Sequence, residues 1–263
     1  MPRIKLILEY EGTEYVGWQT QQNGPSIHDR VLCALTEFLG ERAVLFAAAR
    51  TDSGVHALGQ VVCFDTARGL PLKAYGMGLN KLLPRDIAVV GASCVADDFD
   101  PRRGASGKRY QYLIWNRRAP SPMRRRTHWE IFQPLDVEAM RAAGVLVLGR
   151  HDFSAFRASD CQASHAIREM REVSVEGQGG GEISIAIEAT AFLKHMARNI
   201  VGSLVEIGKG RRDAQWLKSA LESKDRTLSG PTAPAHGLTL LEVLYEPHPQ
   251  AGGNAGQPSP RPG

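Results

Sequence analysis

Residues 44–65, VLFAAARTDSGVHALGQVVCFD, hold two apolar runs separated by a short polar stretch. The runs Val44–Ala49 and Gln60–Asp65 are rich in the β-branched, aromatic and small apolar residues typical of strands. The Asp-Ser-Gly triplet at 52–54 consists of residues that favour turns. The stretch therefore predicts two neighbouring strands, and the rest of the first half can be arranged around this pair.

The segments on either side of the pair complete a β-α-β-β-α-β order. Besides the pair, the predicted elements are a strand at Arg3–Tyr10, a helix capped by Ser26 and ended by Gly40, a helix at Leu72–Leu83 and a strand at Ile87–Val95. Alternating apolar residues mark the first strand, and an apolar stripe at helical spacing marks the first helix. This order is the split βαβ pattern of ferredoxin-like domains.

The second half of the chain repeats the same order. Its predicted elements are a strand at Lys108–Trp115, a helix at Val137–Leu148, strands at Glu172–Glu176 and Glu182–Thr190, helices at Leu193–Ile207 and from Asp213 to Glu222, and a strand at Leu238–Tyr245. We therefore expect an α+β fold of two ferredoxin-like halves with mostly antiparallel sheets, 1–102 and 103–246. A cleft between the halves is the expected place for a site.

Composition excludes several classes of protein. With 43% hydrophobic and 23% charged residues the chain is typical of soluble globular proteins, and no apolar run reaches the ~18–20 residues that span a bilayer. No secretory signal is visible, so the cytoplasm is the expected location. The four cysteines form no C-x-x-C motif, which favours reduced, buried thiols over a metal site. Residues 247–263 are rich in Pro and Gly and are expected to form a disordered tail.

Positive charge is concentrated in the middle of the chain. Between Arg102 and Arg126 there are nine basic residues and no acidic residue, with Tyr110, Tyr112 and Trp115 among them. Such a run is compatible with an ordinary solvated surface. It is also typical of a face that binds nucleic-acid phosphates, where aromatic side chains can stack on unpaired bases.

Asp52 is the carboxylate that the sequence singles out. An aspartate is ionised near neutrality unless it is desolvated, and Arg50 could pair with it in a dry pocket. An ionised carboxylate in a cleft can act as a nucleophile or a base. Two alternatives stay open on spacing alone: a plain Asx-type turn, and an aspartic protease, although that reaction needs a second such carboxylate.

Five blocks of sequence resemble, in family order, the TruA-type tRNA pseudouridine synthases. The blocks are RTDSGVHA at 50–57 with GQV at 59–61, KRYQYLI at 108–114, HDFSAFR at 151–157, FLKHMARNIVG at 192–202 and GPTAPAHGL at 230–238. They span nearly the whole chain apart from the tail. The match therefore depends on an ordered set of motifs and not on the Asp-Ser-Gly triplet alone.

The resemblance implies a homodimeric enzyme that converts uridines 38, 39 and 40 of the tRNA anticodon arm to pseudouridine. It also implies that no cofactor and no metal are used, since the isomerisation breaks the N1–C1′ bond and forms C5–C1′ without redox chemistry or group transfer. The competing interpretation is a non-catalytic chaperone that binds tRNA. An intact catalytic set of residues argues against that alternative.

Residue roles follow from the same resemblance. Asp52 matches the family nucleophile, Arg50 and Arg198 match arginines that pair with it, and Tyr110 matches the tyrosine that stacks on the uracil. Residues expected to bind substrate are Tyr110, Leu238 as an apolar wall, and the basic Lys108, Arg109 and Arg102. Without the resemblance, Tyr110 would be assigned to the core and Arg198 to the surface. His56 is expected to support the loop structurally.

Overall fold

The computed structural model describes residues 1–246, whose strands form one ten-stranded sheet. The strands are β1 (Arg3–Tyr10), β2 (Phe46–Ala47), β3 (His56–Asp65), β4 (Ile87–Val95), β5 (Ala105–Asn116), β6 (Trp129–Ile131), β7 (Gly149–Asp152), β8 (Ile167–Gly177), β9 (Glu182–Ala189) and β10 (Leu238–Tyr245). The helices are α1 (Ile27–Leu39), α2 (Leu72–Leu82), α3 (Val137–Gly144), α4 (Met196–Gly208) and α5 (Ala214–Ser223). The predicted tail, 247–263, lies outside the described residues.

Local signals in the sequence set the ends of the helices. The Ser26 hydroxyl accepts a hydrogen bond from the Asp29 amide at 3.1 Å, and Gly40 ends α1 in the left-handed region at φ 67°. The predicted helix over 137–148 ends at Gly144 and continues only as a 3-10 turn over 145–147. The helix predicted from Leu193 begins at Met196 instead, because the preceding residue leaves the helical region.

The two halves of the sheet have the same strand order. The first runs β4-β1-β3 with β2 also paired to β3, and the second runs β10-β5-β9-β8 with β7 at its edge. Both are the order of a ferredoxin-like sheet, so the predicted mostly antiparallel α+β fold is confirmed. A short parallel pairing of β10 with β3, at Thr239↔His56 and Leu240↔Ala57, joins them. The division between residues 102 and 103 stays a prediction.

The strand predicted at Val44–Ala49 is much shorter in the structure, because only Phe46 and Ala47 pair with β3. At Ala49 a side chain replaces the missing strand partner. The amide of Gln60, which is fully buried, accepts from the Ala49 N–H at 3.2 Å and donates to the Ala49 carbonyl at 2.8 Å. The backbone groups are therefore satisfied without a ladder, and the chain is free to leave the sheet.

The helices cover one face of the sheet. On β5 the buried side chains alternate with half-exposed ones, so that Tyr110, Tyr112 and Ile114 point towards the helices while Arg109 and Gln111 point away. The core lies on the helical side and includes Leu6, Leu8, Leu35 and Met140, all fully buried. Side chains that follow one another along a strand therefore lie on opposite faces of the molecule.

Two further observations qualify the composition-based expectations. Of the four free cysteines only Cys63 is buried; Cys33 and Cys94 are exposed and Cys161 is intermediate. The prediction of buried thiols is therefore confirmed for Cys63, met only in part by Cys161, and wrong for Cys33 and Cys94. Among the described residues, no helix has the length and apolar character needed to cross a membrane.

Candidate active site

The connection between β2 and β3 packs closely against β1 and the segment that precedes α1. The Trp18 amide donates to the Thr51 carbonyl at 3.0 Å, and Tyr10 and Thr51 share a hydroxyl hydrogen bond of 2.8 Å. At Gly17, with φ 103°, a Cβ would lie 2.6 Å from the Thr51 carbonyl oxygen. Only glycine allows this backbone approach, which fixes the height of the connection above the sheet.

The backbone of Asp52 takes part in the predicted turn, whereas its carboxylate does not. The Val55 amide donates to the Asp52 carbonyl at 3.1 Å, and Gly54 provides the positive φ of 78° that the turn needs. Among the described residues the carboxylate accepts no hydrogen bond from the turn. The plain Asx-type turn is therefore not what occupies this side chain.

Arg198 binds the Asp52 carboxylate from the other half of the chain. Its Nη1 donates to Asp52 Oδ2 at 3.1 Å, and its Nε donates to the Ala233 carbonyl at 2.7 Å. The side chains of Asp52 and Arg198 are 25% and 15% exposed, so the pair is partly desolvated yet reachable. Arg198 lies in the first turn of α4, whose N-terminal backbone dipole also favours a negative charge nearby.

His195 contacts the same carboxylate oxygen. Its Nε2 lies 3.6 Å from Asp52 Oδ2, which is too long for a hydrogen bond but within ion-pair range. Burial lowers the pKa of His195 below its ordinary value, although the Asp52 charge opposes that shift. The carboxylate therefore has one cation, Arg198, and one neutral imidazole beside it near neutral pH.

Tyr110 lies on the helical face of β5, close to the carboxylate. Its ring is 7% exposed and meets the Phe192 ring edge-on, with centroids 4.9 Å apart. Burial raises the pKa of Tyr110, and the nearby Tyr10 and Asp52 raise it further. Leu238 is buried on the neighbouring strand opposite Tyr112, one cross-strand pair away from Tyr110. Its position is that of an apolar wall on the same face.

Lys108 lies two residues before Tyr110 on the same face of β5. Burial, together with the charges of Arg102 and Arg168, lowers the pKa of Lys108 to about 8. No carboxylate among the described residues lies within ion-pair distance of Lys108, Arg102 or Arg168. This part of the face is therefore an uncompensated cationic surface, and an anion would stabilise it.

Comparison with known proteins identifies the family. A family model described as tRNA pseudouridine synthase matches residues 6–102 and 143–246. The chain belongs to the tRNA pseudouridine synthase family. A Myxococcus xanthus protein named tRNA pseudouridine synthase A is 61% identical over 251 residues, which cover 95% of each chain. One of the same name from Geotalea uraniireducens (strain Rf4) is 45% identical over 245 residues, which cover 93% of this chain and all of that protein.

Solved structures add little to the family assignment. The crystal structure of the archaeal box H/ACA sRNP Nop10-Cbf5 complex aligns with 86% of this chain and 60% of that chain, at 11% identity and a TM-score of 0.36. That overall similarity is too low to support an inference. The names of the pseudouridine synthase relatives give no support to a non-catalytic chaperone.

In this member of the pseudouridine synthase family, Arg50 does not make the expected ion pair. Arg50 is exposed, and among the described residues no carboxylate lies within 4 Å of its guanidinium. Asp52 pairs with Arg198 instead, because α4 brings that arginine over the turn while the backbone directs Arg50 outwards. The expectation that both arginines pair with Asp52 is therefore wrong for Arg50.

Arg109 is also misplaced by the sequence-based grouping with Lys108. Its guanidinium donates to Glu188 Oε2 at 2.6 Å and 3.0 Å and lies 3.9 Å from Glu172, on the sheet face away from the helices. Strand alternation separates it from Lys108. Arg109 therefore does not share a face with Lys108 and Tyr110, and its role in binding substrate stays a prediction.

Much of the basic run is neutralised by residues that are distant in sequence. Arg126 pairs with Glu11 and Glu14, each at 3.2 Å, and Arg124 pairs with Glu182 at 3.4 Å. The aromatic side chains are also committed, since the Tyr112 hydroxyl donates to the Pro234 carbonyl and the Arg124 guanidinium covers the Trp115 ring at 4.0 Å. Of the three aromatics in the run, Tyr110 is the one whose hydroxyl feels the charge of Asp52.

His56 has the scaffold role expected of it. The Gly12 amide donates to His56 Nδ1 at 3.0 Å, and His56 Nε2 lies 2.8 Å from the Arg126 carbonyl and 3.0 Å from the His236 carbonyl. One imidazole therefore ties three loops together at the base of the site. The sequence reasoning missed His195 and Arg168; the i, i+3 spacing of His195 and Arg198 in the fourth motif was the signal for the first.

Proposed function

We propose that Asp52, Arg198 and Tyr110 form the catalytic centre with which this pseudouridine synthase isomerises uridine in tRNA, at positions 38, 39 and 40. The observation that supports this centre best is the pairing of Asp52 with Arg198 at 3.1 Å. A carboxylate held by an arginine from the other half, and by nothing in its own turn, is placed for chemistry on a ligand between the halves.

The reaction requires the target nucleotide to leave its stem or loop. Flipping a base out of a stack costs a few kcal/mol, which contacts in the pocket must offset. The N1–C1′ bond then breaks, the uracil turns, and C5–C1′ forms, while a proton leaves C5 and N1 gains one. Asp52 attacks C1′ or C6, or takes the C2′ proton in a glycal route; these three routes use the same carboxylate position.

Tyr110 serves the uracil in two ways in this proposal. Its ring stacks against the base, and its hydroxyl carries the C5 proton in the second half of the reaction. Because its pKa is raised, the hydroxyl is protonated near neutrality, so it moves the C5 proton as a relay and releases its own proton to water as it accepts the one from C5. Leu238 provides the apolar wall. Arg50, exposed at the rim, is free to hold the phosphate of the flipped nucleotide.

The tRNA backbone binds along the cationic surface of Arg102, Lys108 and Arg168. Lys108 gains most from a phosphate, because it is partly desolvated and lacks a carboxylate partner. Counterion release then makes affinity fall steeply as salt rises. On the family resemblance alone, we further propose that the chain works in the cytoplasm as a homodimer without cofactor or metal.

The decisive experiment measures tritium release from tRNA that contains 5-tritiated uridine. We expect Asp52→Asn to lower the rate by about 10⁴-fold or more while tRNA binding persists, since the amide can neither attack nor accept a proton. Asp98→Asn, at an exposed aspartate remote from the turn, should leave the rate unchanged. Turnover by the Asp52 variant at the wild-type rate would contradict the assignment.

The wild-type protein distinguishes catalysis from chaperoning. Tight binding of the anticodon arm without tritium release would favour the non-catalytic alternative. A dissociation constant that does not change between 50 and 200 mM salt, a range over which phosphate contacts cost orders of magnitude in affinity, would remove the cationic surface from the proposal.

A further inference from the structure

His195 has a strained backbone that its place in the fold does not require. Within residues 1–246 the only non-glycine residues with positive φ are His195, at 64°, and Lys224, at 59°. Lys224 ends α5, where a left-handed residue is the usual way to stop a helix. His195 precedes α4, where a capping residue is normally extended and bonds the first turn, yet its side chain makes no capping bond.

The strained conformation brings the imidazole to Asp52. Nε2 of His195 lies 3.6 Å from Oδ2, the oxygen that Arg198 also holds. The imidazole is 29% exposed, so the contact is partly shielded from solvent. Strained residues that the surrounding structure maintains are concentrated at functional sites, and here the strain has a visible result.

Four charged groups act on the imidazole. Asp52 and Asp160 favour its protonated form, and Arg198 and Lys194 oppose it. Lys194 and Asp160 form an ion pair with each other, which leaves the Asp52–Arg198 pair as the main local field. Burial is the largest influence and lowers the pKa of His195, so that the ring is neutral at neutral pH.

We propose that His195 is a positioning residue for Asp52 that makes catalysis depend on its own charge: the neutral imidazole packs against the carboxylate and limits its movement, and the imidazolium blocks it. When protonated, the ring becomes a second cation beside Oδ2. It then attracts the carboxylate, and the distance between His195 Nε2 and Asp52 Oδ2 shortens from 3.6 Å to that of a hydrogen bond. The oxygen is then no longer available to the nucleotide. This inference rests on the proposed role of Asp52.

The test is the pH profile of kcat/KM for tritium release. The ordinary pKa of histidine is about 6.5, and burial lowers that of His195. In the wild type we therefore expect the rate to fall as the pH decreases below about 6.5. His195→Gln retains an amide nitrogen at a similar reach but cannot become charged. Its acid limb should move to lower pH by about one unit or more, with the rate at pH 8 within about tenfold of the wild type. His195→Ala, which loses the contact, should cost about 10–100-fold at pH 8.

Lys224→Gly and His195→Gly separate strain from function. Both release the same kind of backbone strain, so neither should lower the melting temperature. Only His195→Gly should change the pH profile. An unchanged acid limb in His195→Gln overturns the proposal, and so does complete loss of activity in a folded, tRNA-binding His195→Gln protein, because the ring would then be needed for the chemistry itself. If Asp52→Asn is inactive and His195→Gln is unaltered, this inference alone fails.

Discussion

Two connections occupy the same place in the two repeated halves of the sheet. In the first half residues 48–55 join β2 to β3, and in the second half residues 178–181 join β8 to β9. The first carries Asp52, packs against backbone from elsewhere and receives Arg198 from the other half. The second is a largely exposed Gly-rich hairpin between two long strands that pair along most of their length.

The difference shows how one topology can hold both a site and a plain turn. β8 and β9 pair along most of their length, so their connection reverses the chain and, beyond that, bonds only Asn116 at the end of β5. β2 pairs over two residues only, which releases residues 48–55 towards Arg198 and frees the start of β3 to pair with β10. Shortening one strand therefore creates both the loop that carries Asp52 and the junction between the halves.

The largest effect is expected from removing Arg198, which binds the first connection and has no counterpart at the second. In Arg198→Met the carboxylate loses its only ion-paired arginine among the described residues, which should cost about 2–4 kcal/mol of transition-state stabilisation, or about 30-fold to 10³-fold in kcat. Single-turnover tritium release measures this change. Arg211→Met, at an exposed ion pair after the same helix, should retain the wild-type rate; equal losses in the two variants would contradict the assigned role.

Gln60 makes the second-largest difference between the connections. It bonds both backbone groups of Ala49, whereas the Asn116 side chain accepts one long bond, 3.4 Å, from the Gly180 amide of the Gly-rich hairpin. Gln60→Ala leaves the N–H and carbonyl of Ala49 without partners in a buried place, at a cost of about 2–3 kcal/mol in the free energy of unfolding. Urea denaturation measures this cost. Gln111→Ala, which removes one half-exposed bond to Ser184, should cost less than about 1 kcal/mol. If Gln60→Ala lost no more free energy of unfolding than Gln111→Ala, the two bonds between Gln60 and Ala49 would not stabilise the connection.

One glycine in each connection sharpens the contrast. Gly54 has φ 78° and a Cβ there would lie 3.3 Å from the Ala235 Cβ, whereas Gly181 has no positive φ and open space around it. In Gly54→Ala the new side chain strains the turn, which should cost about 1–2 kcal/mol in the free energy of unfolding. The variant should also have a lower kcat, because this turn sets the position of Asp52. Gly181→Ala should stay within about 0.5 kcal/mol. Equal stabilities for the two variants would contradict this contrast.

The smallest effect is expected from lengthening the plain hairpin. Inserting Ser-Gly after Gly179 leaves the bonds of Gly180 and Gly181 to Asn116 in place, so it should add mainly loop-closure entropy, about 0.5 kcal/mol, and leave kcat unchanged. The same insertion after Ser53 should abolish tritium release, because it displaces Asp52 from Arg198. Thermal unfolding and tritium release, measured on both variants, compare the two directly; equal tolerance of the two insertions would mean that residues 48–55 are an ordinary turn.

Local patterns predicted most of the fold. Periodicity and caps gave α1, α5 and β10 at nearly their observed bounds. The extent of β2 could not be predicted this way, since the side chain of Gln60 replaces a strand partner and leaves the apolar pattern unchanged. The parallel pairing of β10 with β3 is a contact between the two halves, and no local signal encodes it.

The site was predictable as a set of residue types and only partly as a geometry. The motifs named Asp52 and Arg198, but the preference for Arg198 over Arg50 depends on where α4 lies. Strand alternation already placed Lys108 and Arg109 on opposite faces, although which face holds the site depends on the helices. His195 was hidden for another reason: its importance depends on a backbone angle that residue identity does not reveal.

The position of β10 has a consequence for the order of synthesis. This strand lies between β3 and β5 in the sheet, yet the ribosome makes it after every other strand described here. Until it emerges, the first half and the rest of the second half have no strand between them, and loop closure over so long a separation is slow. We therefore expect the nascent chain to form the turn of Asp52 before Arg198 is fixed beside it. The protein should become active only when β10 has been inserted between β3 and β5.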